Sequence, residues 1–204
     1  MNMILASIYG LTVPQAVMIV AGLMAVIYIY LKIKEKKNRG AAETGEDKNI
    51  VWGIMQRSVP EAEKYTKAYG CWEWETYRGN TKTTTYWYYG IAFNEEQICI
   101  VPLSCEGGDI SYSGSVCLRK EDLGMINAKK EQNWTEFYDK DRNEILTFTV
   151  DEENLKEDKY HPVNIIQTEE AKAFVAWRNQ WMDEVNRANG VEVTGKMKKP
   201  LKKK

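Results

Sequence analysis

The sequence predicts an α+β protein with one N-terminal transmembrane helix, an antiparallel sheet of short strands and a C-terminal amphipathic helix. Three features predict this fold class: an uncharged apolar run at the N-terminus, several short runs rich in β-branched and aromatic residues, and an apolar stripe at helical spacing near the C-terminus. They divide the 204 residues into an outer N-terminal segment 1–12, a transmembrane helix 13–33, a basic juxtamembrane segment and linker 34–49, a soluble domain 50–190 and a basic disordered tail 191–204.

The N-terminal apolar run predicts a single membrane span. No charged residue precedes Lys32, and the nineteen residues 13–31 are apolar around the whole helix circumference. At 1.5 Å per residue, a run of this length covers most of a hydrocarbon core of ~30 Å. Thr12 and Gln15 have the spacing of a capping box, which marks a helix start. The residues that represent the span are Val13, Pro14, Val20, Gly22, Ala25, Tyr28, Tyr30 and Leu31.

Basic residues that directly follow the apolar run predict its orientation. Basic residues resist translocation, so we expect the N-terminus outside and the soluble domain in the cytoplasm of a cell-membrane protein. A cleaved signal peptide would have its positive charge before the apolar run, and here the order is reversed. The topology-determining residues are Lys32, Lys34, Lys36, Lys37 and Arg39.

Small residues on the predicted span favour contact with a second copy. Ala21 and Ala25 form a small-xxx-small pair with Gly22 beside them. Such a pair lets two helix backbones approach closely, which predicts a homodimer through this face. Small residues are also common in membrane helices that do not dimerise.

The domain is expected to contain a short helix followed by strands. Segment 40–48 is small, polar and charged, which predicts a flexible linker. Ser58 and Glu61 have capping-box spacing, and this predicts a helix at 59–69 after a helical turn at 51–55. Trp72 and Trp74 alternate with Glu73 and Glu75, as on a half-buried strand. Further strands are predicted at 83–93, 97–103, 114–118, 133–138, 144–150 and 162–166.

The domain is expected to close with an amphipathic helix. Thr168 is a suitable N-cap residue, and Gly190 follows the end of the periodic segment. The apolar residues that share one helix face are Ala171, Phe174, Val175, Trp181, Met182 and Val185, with Trp177 at its margin.

The order of these elements resembles that of bacterial pleckstrin-homology-like (PH-like) domains. The segment 87–93, a polar turn and the segment 97–101 are similar to the opening hairpin of such domains, and the helix carrying Phe174, Trp177 and Trp181 is similar to their closing helix. The resemblance covers 71–189 and implies an antiparallel β-barrel or meander with one end closed by the helix.

No chemical motif in the sequence predicts a catalytic, cofactor-binding or metal site. Residues 139–143 have the spacing that opens an EF-hand loop, but Glu144 and Val150 stand where that loop requires Gly and Glu, so we expect a hairpin turn. His161 is the single histidine and has no companions at metal-ligand spacing. The four cysteines form no Cys-x-x-Cys pair and are expected to be reduced, mostly buried thiols: Cys71, Cys99, Cys105 and Cys117.

Charge is distributed unevenly between the domain and its flanks. Between positions 50 and 190 lie 24 of the 29 acidic residues and 16 of the 28 basic residues, so this window is net −8. A net negative domain argues against nucleic-acid binding, which depends on neutralising phosphates. The basic tail could contact anionic lipid headgroups of the cytoplasmic leaflet. Its lysines are Lys196, Lys198, Lys199, Lys202, Lys203 and Lys204.

The sequence is compatible with three functional hypotheses. The first is a non-enzymatic module that is anchored in the lipid bilayer and binds a protein partner. The second is a membrane-tethered enzyme, which would need a concave site with titratable residues such as Glu73, Glu75 or His161. The third is a module that contacts anionic lipids through the polybasic tail.

Overall fold

The computed structural model describes residues 12–106, 109–156 and 161–191. It contains an N-terminal helix, an antiparallel sheet and a C-terminal helix, which confirms the predicted α+β class. The α-helices are α1 (Val13–Thr44), α2 (Glu46–Ser58) and α3 (Thr168–Ala188).

Helix α1 is long and apolar enough to cross a membrane. Its 32 residues extend for roughly 48 Å. The backbone N–H of Thr12 donates to Oε1 of Gln15 at 2.9 Å, as the capping-box spacing predicts. The apolar window is not buried against the rest of the described chain, unlike the core helix of a soluble protein. Such a continuous exposed apolar surface is unfavourable in water and suits a lipid environment.

The segment predicted to be a flexible linker, 40–48, is helical, so that prediction is wrong. Helix α1 runs to Thr44 and ends at Gly45, whose φ of 70° is left-handed and accessible to glycine without strain. Helix α2 then begins at Glu46, and Ala42 is already buried against the domain. The predicted domain boundary at residue 50 therefore falls inside α2.

The prediction of a helix at 59–69 is also wrong, because the helix lies earlier in the chain. The Ser58 hydroxyl donates to the carbonyl oxygen of Ile54 at 2.9 Å, so Ser58 ends α2 and does not cap a following helix. Val59 precedes Pro60 and is extended, as steric restriction before proline requires. After a single 3₁₀ turn, the first strand starts at Thr66.

The strands form one antiparallel sheet of eight and a separate pair. Along the main sheet the order is β4-β3-β2-β1-β8-β7-β6, with β5 also paired to β3; β9 and β10 pair with each other. Within the described residues β4 and β6 do not pair, so the sheet is open and the predicted barrel closure is not observed. The strands are β1 (Thr66–Arg78), β2 (Thr81–Phe93), β3 (Gln97–Glu106), β4 (Asp109–Tyr112), β5 (Val116–Arg119), β6 (Met125–Asn127), β7 (Trp134–Tyr138), β8 (Glu144–Thr149), β9 (Glu153–Asn154) and β10 (Ile165–Ile166).

The central strands are covered on both faces. One face packs against α3, where Phe93, Phe148 and Phe174 belong to a single buried cluster. The other face packs against α2 through a second cluster that includes Ile54, Met55 and Val101. Strands buried on both sides carry consecutive apolar residues, which explains the runs 90–93 and 98–101.

Helix α3 confirms the predicted amphipathic helix, with one change at its start. The N-cap is Gln167, and Thr168 is the first helical residue. The predicted hairpin turn at 139–143 is also confirmed, since it joins β7 to β8 and the Asn143 backbone N–H donates to Oδ1 of Asp139 at 2.8 Å.

The structure differs from the prediction that all four cysteines are reduced, because it contains one bonded pair. Cys99 on β3 and Cys117 on β5 are directly opposed in the strand register and form a disulfide. Cys71 and Cys105 are free, half-buried thiols. The pairing register of β5 is not evident from residue spacing, so the sequence alone did not identify this bond.

Candidate functional site

A cleft of about 330 Å³ opens beside the β1–β2 hairpin. One wall is the hairpin face that also packs on α2, and the opposite wall is the chain from Thr149 to Leu155 together with His161 and Val163. The hairpin residues that line it are Tyr69, Cys71, Trp72, Glu73, Tyr86 and Tyr88.

The strand register explains why these hairpin residues meet. Cys71 lies opposite Tyr88, and Glu73 lies opposite Tyr86. Directly opposed residues of an antiparallel pair point to the same side of the sheet, and residues two apart along a strand share that side. The Tyr86 ring also meets the His161 ring edge to face, with 5.8 Å between the centroids.

The hairpin extends past its neighbours and forms the outer rim of the cleft. Strand β3 pairs with β2 from Tyr88 onward, and β8 pairs with β1 at Cys71. Within the described chain, segments 72–78 and 81–87 therefore form a two-stranded ribbon without further strand neighbours. Tyr77 and Trp87 expose large apolar areas on this ribbon.

Several of the described residues that line the cleft are acidic. Among these described residues, His161 is the single one with a basic side chain. The acidic residues are Glu73, Asp151 and Glu153. Burial raises the pKa of Asp151, since its carboxylate is partly withdrawn from water. Asp151 accepts a hydrogen bond from the Asn133 amide, and Glu153 forms an ion pair with Arg39 of α1 at 2.7 Å. These contacts hold the carboxylates at the cleft wall.

Tyr69 is a buried polar side chain in this wall. The residue is 2% exposed, and burial raises the pKa of its phenol well above the ordinary value. Its backbone N–H and C=O are both bonded to the Gln167 amide, at 2.7 Å and 2.8 Å.

Cys71 lines the cleft with a thiol, which can act as a covalent nucleophile. Burial raises the pKa of its thiol to about 11, and its Sγ lies 3.7 Å from Oγ1 of Thr149. Nucleophilic attack requires the thiolate, which is scarce at neutral pH when the pKa is raised. The cleft is therefore better suited to binding than to thiol catalysis.

Two of the three titratable residues named in the enzyme hypothesis lie together in the cleft, and the third does not. Glu73 and His161 both line the cleft, whereas Glu75 lies outside it and forms an ion pair with Lys82. Among the described residues no three His, Cys, Asp or Glu side chains are grouped so as to hold a metal ion.

The residues predicted to contact the membrane lie on α1 or outside the described chain. The span residues and the small residues Ala21, Gly22 and Ala25 are exposed on α1. Of the five basic residues after the run, Lys32 pairs with Glu35 within the helix at 2.7 Å, and Arg39 pairs with Glu153. The outer residues 1–11 and the six tail lysines lie outside the described residues.

The cleft as a whole is not predictable from the sequence, although the pairing of its hairpin residues is. Once the turn at 79–80 is recognised, the 13-residue strands on either side place Glu73 opposite Tyr86. No local pattern shows that Asp151 approaches this face, because its placement depends on long-range pairing. Comparison with models of known families and with curated proteins finds no match for this chain.

Proposed function

We propose that this protein is a single-pass membrane protein whose PH-like domain binds a protein partner at the cytoplasmic membrane surface. In this proposal α1 spans the bilayer with its N-terminus outside. The domain has no catalytic role, and the cleft and the β1–β2 ribbon form its binding surface.

The observation that carries the proposal is the continuous connection between α1 and the domain. Past the apolar run, Asn38 donates to the backbone carbonyl of Lys156, and Arg39 pairs with Glu153. Just beyond α1, Oδ2 of Asp47 accepts from the backbone N–H of Asn164 at 2.7 Å. Lys48 pairs with Glu170 at 2.5 Å. A helix held at several points fixes the orientation of the domain and presents one surface at a defined angle.

The position of these contacts suits a domain that rests on the membrane surface. Arg39 lies eight residues after Leu31, a rise of roughly 12 Å. The headgroup layer beyond the hydrocarbon core is about 5–8 Å thick on each side. The first contacts with the domain therefore lie just outside the headgroups, and Lys32, Lys34 and Lys36 lie within or beside them.

The PH-like assignment is supported by the order and packing of the elements. A meander of antiparallel strands precedes a single helix, and that helix packs its aromatic residues against one sheet face. Phe174 contacts Phe93 and Phe148 with ring centroids 5.5 Å and 5.6 Å apart.

The Cys99–Cys117 disulfide favours the opposite orientation, because disulfides persist mainly in oxidising compartments. The five basic residues next to the span favour the cytoplasmic orientation. We give the basic cluster more weight, since it acts during insertion and a cysteine pair can be reversibly reduced afterwards.

The proposal is tested by photo-cross-linking in intact cells. A photoreactive amino acid placed at Trp87 or Tyr77, both exposed on the ribbon, is expected to yield a discrete protein adduct. Ile145 is exposed on β8, away from the ribbon, and serves as the matched control position. Adducts that form equally from Ile145, or none from either ribbon position, would count against a binding surface here.

A further inference from the structure

Strand β1 has a long edge in the ribbon, on the side away from β2. The backbone N–H and C=O of Tyr69 are both hydrogen-bonded to the Gln167 amide, so they point away from β2. The register of β1 against β2 continues without a shift to the end of both strands. Backbone groups alternate in direction along a strand, so those of Glu75 and Tyr77 also point away from β2. Beyond Cys71, no described strand other than β2 pairs with β1.

This edge lacks the features that usually keep an edge strand from pairing with another chain. Those features are Pro, Lys, a β-bulge or a very short strand. Strand β1 has 13 residues, its pairing with β2 contains no bulge, and its segment 72–78 contains neither Pro nor Lys. Residues 75–78 are all exposed, whereas the other edge of the ribbon carries Lys82 on β2. The β1 edge is therefore the more open of the two to a further strand.

Self-complementarity identifies a second copy of this chain as a strand that fits the edge. Two antiparallel β1 edges are related by a two-fold axis, so the residue at the axis lies opposite itself. With the axis at Thr76, Glu75 of each copy lies opposite Tyr77 of the other, and a hydrogen-bond acceptor faces a donor. On the other face, Arg78 of each copy lies opposite Trp74 of the other, as in a cation–π pair.

The neighbouring registers have poorer charge complementarity. An axis at Glu75 places two Glu75 carboxylates opposite each other, and an axis at Trp74 places Glu73 opposite Glu75 on both sides. Like charges that are directly opposed destabilise a sheet. An axis at Tyr77 moves Glu75 opposite the turn residue Gly79, which shortens the paired segment. Charge and pairing length therefore favour the first register.

We propose that two copies of this protein pair through the β1 edges of their ribbons, antiparallel and centred on Thr76, and form one continuous sheet. Glu75 of one copy and Tyr77 of the other exchange their backbone N–H···O=C bonds, and the same exchange occurs on the other side of the axis. The inference deepens the proposed function and rests on it, because it names a second copy as the protein that binds the ribbon.

The test is disulfide trapping of the full-length protein in isolated membranes. Thr76→Cys is combined with Cys71→Ser and Cys105→Ser, and copper phenanthroline with dissolved oxygen oxidises thiols that lie close together. In the proposed register the two Thr76 residues form a non-hydrogen-bonded pair with Cα atoms about 4.5 Å apart, a distance that a disulfide spans. We expect a reducible dimer about tenfold more abundant than in the same background with Thr76 unchanged.

Two matched cysteine positions test the register. Thr83 is exposed and lies opposite Thr76 in the same ribbon. The two Thr83 residues of the proposed dimer are three strand spacings apart, roughly 14 Å. The two Glu75 residues are about 8 Å apart, beyond the ~7 Å limit for a disulfide. Thr83→Cys and Glu75→Cys should therefore give only the background level of dimer.

Proline substitutions test the backbone bonds of the edge. Tyr77→Pro removes an N–H that points away from β2, so the hairpin keeps its own hydrogen bonds. We expect the dissociation constant of the dimer in detergent micelles to rise by about tenfold, measured by size-exclusion chromatography with light scattering. Thr84→Pro is the matched control, because Thr84 lies opposite Glu75 and its N–H points to the other edge of the ribbon. It should leave the dissociation constant unchanged.

Three results would overturn the inference: no dimer from Thr76→Cys, equal dimer from all three cysteine positions, or equal weakening by the two proline variants. A Thr76→Cys adduct with a different protein, without a dimer, would also overturn it. The photo-cross-linking test of the proposed function detects any protein partner. It therefore still yields a discrete adduct if self-pairing alone fails, and yields none if the ribbon binds no protein.

Discussion

At the scale of single residues, the domain depends on buried polar side chains that form hydrogen bonds. Arg178 on α3 has no exposed surface, and burial lowers the pKa of its guanidinium to about 10. No carboxylate pairs with it among the described residues. Its donors instead reach the backbone carbonyl of Gln132 in the β6–β7 connection at 2.7 Å and that of Trp134, the first residue of β7, at 3.0 Å. One side chain thus fixes a loop onto α3.

We predict that Arg178→Met is among the most destabilising single substitutions in the domain. It removes the donors and leaves several carbonyls unpaired, and we expect a loss of about 3–5 kcal/mol in the free energy of unfolding. The measurement is denaturant unfolding followed by tryptophan fluorescence. Arg187→Met, in the exposed last turn of the same helix, is the control and should change stability by less than about 0.5 kcal/mol. Equal effects of the two variants would contradict this account.

At the scale of elements, the side-chain amides of Gln167, the N-cap of α3, and of Asn186, near its C-terminal end, replace missing strand partners. The described pairing of β1 with β8 is confined to Cys71, and beside it the Gln167 amide bonds to both backbone groups of Tyr69 and to the carbonyl of Asp151. At the other end of the helix, the Asn186 amide bonds in the same way to both backbone groups of Ile126 on β6. Helix α3 thereby covers exposed strand edges, which would otherwise pair with other chains.

We predict that Gln167→Ala loosens the junction between α3 and β1. Three backbone groups lose their partner, and we expect a cost of about 2–4 kcal/mol. Hydrogen exchange measured by mass spectrometry should show faster exchange of the peptide that contains Tyr69. Gln180→Ala is the control, because Gln180 is exposed on α3 and bonds only to Glu184 among the described residues. Unchanged exchange at Tyr69 in Gln167→Ala would show that the amide does not act as a strand partner.

Local sequence patterns predict those elements well whose composition or periodicity is typical of one kind of secondary structure. The apolar helix, the strands at 83–93 and 97–103 and the helix that carries Phe174 all follow from composition and periodicity. Segment 40–48 was predicted wrongly, because its small and charged residues have no apolar periodicity, and packing against the domain, as at buried Ala42, contributes to the helical structure there. Segment 59–69 was also predicted wrongly. The extended residue before Pro60 was the available signal against a helix there.

At the scale of the whole molecule, the sequence could not predict which segments meet across the sheet. The run 98–101 indicates a strand buried on both faces, yet it does not show that α2 supplies the second cover. The cleft depends on the same long-range arrangement, since Asp151 and His161 are distant in sequence from the hairpin that carries Tyr69 and Glu73. The sequence around Glu73 is enough to make it a candidate acidic residue. The fold is needed to show which residues lie opposite it.

The orientation of the molecule in the membrane leads to a prediction about its cysteines. A domain in the reducing cytoplasm should hold Cys99 and Cys117 as thiols in intact cells, although the two residues are placed to form a disulfide. A domain on the outer side should hold them oxidised. We expect the first result, because the basic cluster after the span favours the cytoplasmic side.

The measurement is rapid acid quenching of intact cells, followed by denaturation and labelling with a maleimide that adds mass. The variant for this experiment carries Cys71→Ser and Cys105→Ser, so that only the pair of interest can react. Two added labels confirm reduced thiols and support the cytoplasmic orientation. No label, with two labels appearing after chemical reduction, would place the domain in an oxidising compartment and reverse the proposed topology. Oxidising the purified protein provides the internal standard, because the strand register that opposes Cys99 and Cys117 should let the bond form there in either case.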